Sequence, residues 1–98
     1  MGWTVIKEDS EGKSENTLTG EFRLSNTEIL YNGTFRVLKY LDSYDDTTFN
    51  SQMMLDLVRD LEELKTLLPT DKKQIDKVIE LATSCLEEPH TFLKFYGD

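Results

Sequence analysis

Two amphipathic stripes follow one another in this chain with almost nothing between them. Met54, Leu57, Val58, Leu61, Leu64 and Leu68 recur at three- and four-residue spacing, and so do Ile75, Val78, Ile79, Ala82 and Leu86. That period puts each set on one face of a helix. The link Pro69-Thr70-Asp71 is short, so helices over 51–68 and 72–87 are predicted to pack as an antiparallel hairpin. Asn50 or Ser51 can cap the first, and Asp71 with Gln74 resembles a capping box for the second. Pro69 and Pro89 supply the stops.

On either side the period changes. Residues 3–7 and 91–96 are rich in β-branched and aromatic side chains and read as strands, with Phe22 and Leu24 as a brief additional one. Residues 28–31 and 34–41 flank Asn32-Gly33, which suits a type I′ turn. A two-residue hairpin there would pair Tyr31 with Thr34 and Leu30 with Phe35. Residues 8–20 are polar and cannot bury enough apolar area to offset ordering entropy, so a mobile loop is expected. The expected fold class is α+β: an antiparallel sheet of about four strands with an antiparallel helical hairpin packed on one face, in one domain over 1–98.

Charge narrows the function classes. Nineteen acidic residues against eleven basic ones give a net charge of −8. Nucleic acid and anionic membranes call for Lys and Arg, so neither is expected as a partner. A basic protein or a cation is the natural counterpart where charge steers encounter, although acidity also serves solubility alone. The lone cysteine, Cys85, rules out an internal disulfide and reads as a small buried hydrophobe. With no apolar leader in the first thirty residues and no membrane-length apolar run, a cytoplasmic protein is expected. Asn32-Gly33-Thr34 fits a glycosylation sequon but reads as a turn.

The densest polar functionality lies in Asp42-Ser43-Tyr44-Asp45-Asp46-Thr47-Thr48-Phe49-Asn50, which contains no basic residue. A connector needs only two to six residues of turn chemistry. Asp42, Asp45 and Asp46, with Thr47 or Asn50, could supply oxygens to a hard cation, but the spacing is not that of an EF-hand. Asx-turns and helix capping account for the same residues without a ligand. Tyr44 among carboxylates has the composition of a binding hot spot aimed at a basic partner. Most other aromatics, Tyr40, Phe49, Phe92, Phe95 and Tyr96, read as core. His90 is the one histidine and would serve any acid–base chemistry at neutral pH; a structural role after Pro89 is the simpler reading.

Tyr40-Leu41-Asp42-Ser43-Tyr44-Asp45-Asp46-Thr47-Thr48-Phe49-Asn50 and the ending Glu87-Glu88-Pro89-His90-Thr91-Phe92-Leu93-Lys94-Phe95-Tyr96-Gly97-Asp98 resemble a group of small uncharacterised bacterial proteins. Their loop reads roughly Asp-Pro-Tyr-Gly-Asp-Thr-x-Phe-Asn and their end Glu-Pro-His-x-x-Leu-x-Phe-x-Gly-Asp. Ser43 replaces the proline of that pattern and Asp45 the glycine. The group carries no assigned activity, so the resemblance implies a bacterial origin and draws attention to the loop and the C-terminal segment. The functional expectation is a non-enzymatic, cofactor-free, acidic protein-interaction module, an inhibitor or regulator of a basic partner. Its binding residues would be Asp42, Tyr44, Asp45, Asp46, Thr47, Asn50 and His90. Two alternatives stand beside it: a small carboxylate-dependent, metal-binding enzyme using His90, and a structural homo-oligomer joined through a sheet edge or face.

Overall fold

A computed structural model describes residues 2–18, 20–31, 33, 35–42 and 44–97. The regular elements are β1 (Thr4–Glu8), β2 (Ser14–Thr17), β3 (Thr47–Phe49), α1 (Met54–Leu67), α2 (Lys72–Glu87) and β4 (Phe92–Tyr96). The strands form one antiparallel sheet in the order β2-β1-β4-β3, so the last strand inserts between the first and third. α1 packs against α2, and α2 lies on β1 and β4. The α+β architecture expected from the sequence is the one observed.

Strand alternation sorts the sheet into two faces. Val5, Lys7, Phe49, Leu93 and Phe95 are buried on the helix side, while Ile6, Phe92, Lys94 and Tyr96 on the other face are partly exposed. The Phe49 and Phe95 rings meet edge to face at 5.5 Å, a geometry worth about 0.5–1.5 kcal/mol beyond burial. From the helices, Met54, Leu57, Leu61, Leu64, Ile75, Val78, Ala82 and Cys85 fill the other side of the core. Leu86 departs from its predicted stripe and is exposed; Leu81 and Cys85 are buried instead. Burial pushes the Cys85 thiol above its ordinary range, as expected of a packed cysteine.

Three local expectations fail. Among the described residues of 28–41 there is no hairpin; two 3-10 turns, Glu28–Leu30 and Leu38–Tyr40, take its place. The amides that would have entered a ladder are taken by the buried Asp60 carboxylate of α1, which accepts from Arg36 N at 3.1 Å, Val37 N at 2.7 Å and Leu38 N at 3.0 Å. The proposed turn residues Asn32 and Thr34 lie outside the described residues. Residues 8–20 are not wholly irregular, because β2 pairs Thr17 with Ile6 and Asn16 with Lys7. Asp9 closes the intervening turn by accepting from the amides of Glu11 and Lys13, both at 2.9 Å.

The third concerns the predicted capping box of α2. Asp71 makes no side-chain cap; its carboxylate accepts from the amide and hydroxyl of Ser25, both at 2.9 Å. Gln74 pairs with the backbone of Arg23 in both directions, accepting from its amide and donating to its carbonyl. These two side chains act as a surrogate strand for 23–25. The expected strand around Phe22 is accordingly reduced to a single bridge between Phe22 and Trp3.

Candidate functional site: an ordered acidic loop at one end of the sheet

Register brings the loop together with Trp3, just before β1, and Gly97, just after β4. Thr4 lies opposite Tyr96, and Thr47 opposite Phe95. Trp3, Gly97 and the residues just before β3 therefore meet at the same end of the sheet. There the Trp3 indole Nε1–H donates to the Asp42 carbonyl at 2.8 Å, and the Gly97 amide donates to the Asp45 carbonyl at 3.2 Å. The approach is tight enough to demand glycine. A Cβ on Gly97 would lie 2.5 Å from the Asp45 oxygen, 2.7 Å from its nitrogen and 2.8 Å from the Asp42 oxygen.

The loop is also braced from within and from its flank. Asp42 Oδ1 accepts from the Tyr44 amide at 2.9 Å, an Asx-turn, and Asp45 Oδ1 accepts from the Asp46 amide at 2.8 Å. The Thr47 hydroxyl donates to the Tyr40 carbonyl at 3.3 Å. The Tyr31 hydroxyl donates to the Leu41 carbonyl at 2.6 Å, and partial burial, with the nearby Asp42 charge, raises its phenol above the ordinary range.

What this scaffold displays is acidic and aromatic. Asp42, Asp45 and Asp46 are exposed, and none takes part in an ion pair among the described residues. Tyr44 is 72% exposed, Tyr40, close before it in the chain, is 58% exposed, and Tyr31, tied to the segment through Leu41, is 52% exposed. Tyr40 was expected in the core and Tyr31 in a strand; the two 3-10 turns leave both side chains exposed. These two tyrosines extend the site beyond the residues singled out by sequence, where the hairpin reading concealed them.

The structure separates the rest of the sequence-predicted set. Asp42, Tyr44, Asp45, Asp46 and Thr47 share one end of the sheet. Asn50 follows the far end of β3, where its side chain accepts from Met53 N at 3.1 Å and caps the 3-10 turn Ser51–Met53 leading into α1. His90 is exposed before the start of β4, and the five residues of that strand, at a rise of roughly 3.3 Å each, lie between it and Gly97. It therefore does not join the loop carboxylates. Its backbone φ of 65° lies in the left-handed region that disfavours side chains. Among the described residues no group of three or more His, Cys, Asp and Glu is arranged to hold a metal ion. Ser43 and Asp98, which complete the two stretches of the resemblance, lie outside the described residues.

A comparison with protein-family models, curated proteins and solved structures finds no match to this chain. No helix among the described residues is long and apolar enough to cross a membrane.

Proposed function

We propose that this chain is a bacterial, cytoplasmic and non-enzymatic protein-binding module that regulates or inhibits a basic partner through the 42–46 loop. The carrying observation is the exposure of Tyr44 on a loop held at the Asp42 carbonyl by Trp3 and at the Asp45 carbonyl by Gly97. A rigid aromatic anchor loses little entropy on binding, and tyrosine is enriched among residues that dominate interface energy. Uncompensated carboxylates on either side orient a basic partner and speed its encounter. Lys39 already lies over the Tyr40 ring at 5.3 Å, a cation on a tyrosine face of the kind such a partner would supply.

The test compares capture from a bacterial lysate by the wild type and by Tyr44→Ala/Asp45→Asn/Asp46→Asn, followed by affinity measurement on the captured protein. A basic partner held by the wild type, weakened roughly thirtyfold by Tyr44→Ala alone, matches a hot spot of about 2 kcal/mol. The carboxylate changes should mainly slow association and flatten its salt dependence. Identical capture by both proteins would remove the loop from the interface.

A further inference from the structure

We propose that the groove between β2 and α2 receives an extended peptide from a partner protein, which joins the sheet as a fifth strand beside β2. The two sheet edges differ. β3 has only three residues, and the hydroxyl of its first, Thr47, donates to the Tyr40 carbonyl. All four residues of β2 are exposed, and the strand has a neighbour on one side only among the described residues.

The outer side of β2 carries a hydrogen-bonding stand-in. The Leu18 amide donates inward to the Val5 carbonyl at 2.9 Å, so alternation turns the Thr17 amide outward. That amide donates to Asn16 Oδ1 at 2.9 Å, a side-chain oxygen serving the donor that an adjoining strand's carbonyl would otherwise meet. Exposed edges are commonly guarded by charge. The register shift between Lys7 and Glu8 leaves Glu15 as an extra residue at the start of β2, an irregularity that itself blunts that part of the edge. The Glu15 carboxylate approaches the buried Lys7 ammonium to 3.9 Å, so Asn16 and Thr17 are the regular, uncharged part of the edge.

Beside this edge runs a groove of about 240 Å³, lined by Asn16, Thr17 and Leu18 from the β2 segment and by Lys77, Glu80 and Leu81 from α2. Leu18 and Leu81 are buried, whereas Lys77 and Glu80 are exposed and form no ion pair among the described residues. Strand addition uses the main chain for affinity and alternate side chains for specificity. The fitting ligand is an extended segment with a carboxylate for Lys77 and, two residues away on the same face, a cation for Glu80. Strand side chains two apart stand about 6.6 Å from one another, within reach of long side chains one helical turn apart. A second copy of this chain fits poorly: Ser14-Glu15-Asn16-Thr17 has no cation for Glu80, and two molecules of charge −8 repel.

The experiment selects a random heptapeptide display library on the full chain, on Thr17→Pro and on Lys77→Glu, with folding of each checked by circular dichroism. Proline removes the outward donor of an edge strand and leaves its inward ladder intact. The expected result is β-branched peptides with opposite charges two residues apart, enriched at least about tenfold on the wild type over Thr17→Pro. On Lys77→Glu, whose side chain is exposed, the selected acid should change to a base. No enrichment, or unchanged peptides on Lys77→Glu, overturns the proposal. So does a dimer in sedimentation that Thr17→Pro dissolves, since that assigns the edge to a second copy.

Discussion

Replacing Gly97 with alanine tests whether the acidic loop is held in place by the end of β4. The glycine has no positive φ, so the substitution meets no conformational penalty of its own. Its added methyl would meet backbone atoms of Asp45 and Asp42 at 2.5–2.8 Å, and backbone cannot swing aside as a side chain can. Relief to an ordinary contact near 3.4 Å requires the loop and strand end to part by roughly 0.6–0.9 Å. That displacement stretches the Gly97–Asp45 hydrogen bond from 3.2 Å and threatens the 2.8 Å bond from the buried Trp3 indole. Overpacking of this kind costs about 1–3 kcal/mol, and an unpaired buried donor about 1–3 kcal/mol. The two overlap, because separating the segments relieves one by incurring the other. Reduced entropy of the unfolded chain returns about 0.4–1 kcal/mol. A net loss of about 2 kcal/mol is expected, which in a domain near this size lowers Tm by about 8–16 °C.

Thermal unfolding followed by circular dichroism measures that loss, and fluorescence of the lone tryptophan, Trp3, reports the loop contact directly. Gly33→Ala is the matched control. Its Cβ would meet Phe35 at an ordinary 3.5 Å and its φ is not in the left-handed region, so stability should stay equal or rise slightly. If Gly97→Ala melts within about 2 °C of the wild type with unchanged Trp3 emission, the loop is not clamped by this glycine. The preordering behind the proposed function would fall with it.

Other perturbations probe the remaining supports. Asp60→Ala leaves three amides of 36–38 without their acceptor and should cost about 3 kcal/mol or more in urea unfolding; Asp60→Asn, which keeps one oxygen, should cost less. His90→Gly should stabilise by about 1 kcal/mol, because glycine adopts the observed φ of 65° without a Cβ clash; a lower Tm would show that the imidazole has an essential contact. Glu88 accepts from the buried Lys7 at 2.9 Å, and this hydrogen bond, with the lysine charge, holds its carboxyl below the ordinary value of 4.5. A depressed carboxylate contributes stability above its unfolded pKa, and that contribution is lost as pH falls through the lower folded value. Glu88→Gln should therefore weaken the decline of Tm below about pH 4.5, and an identical acid limb would show that the pair carries no linkage.

The parts of this fold that sequence reveals are those whose stabilisation is local or periodic. The α1 stripe, the α2 stripe apart from Leu86, the Asn50 cap and the strands β1 and β4 follow from spacing and composition. What sequence conceals is where the helices lend their polar side chains. Asp60 gathers the amides of 36–38, while Asp71 and Gln74 bind the backbone of 23–25. Each acceptor lies more than twenty residues from its donor, so Asn32-Gly33 suggested a hairpin and Asp71/Gln74 a capping box. The same long-range supply accounts for the site. Nothing adjacent to Asp42 or Asp45 in the chain predicts that Trp3 and Gly97 satisfy their carbonyls, yet those contacts leave the carboxylates and Tyr44 facing outward. The loop's composition is legible in the sequence, whereas its order depends on the register that closes the sheet.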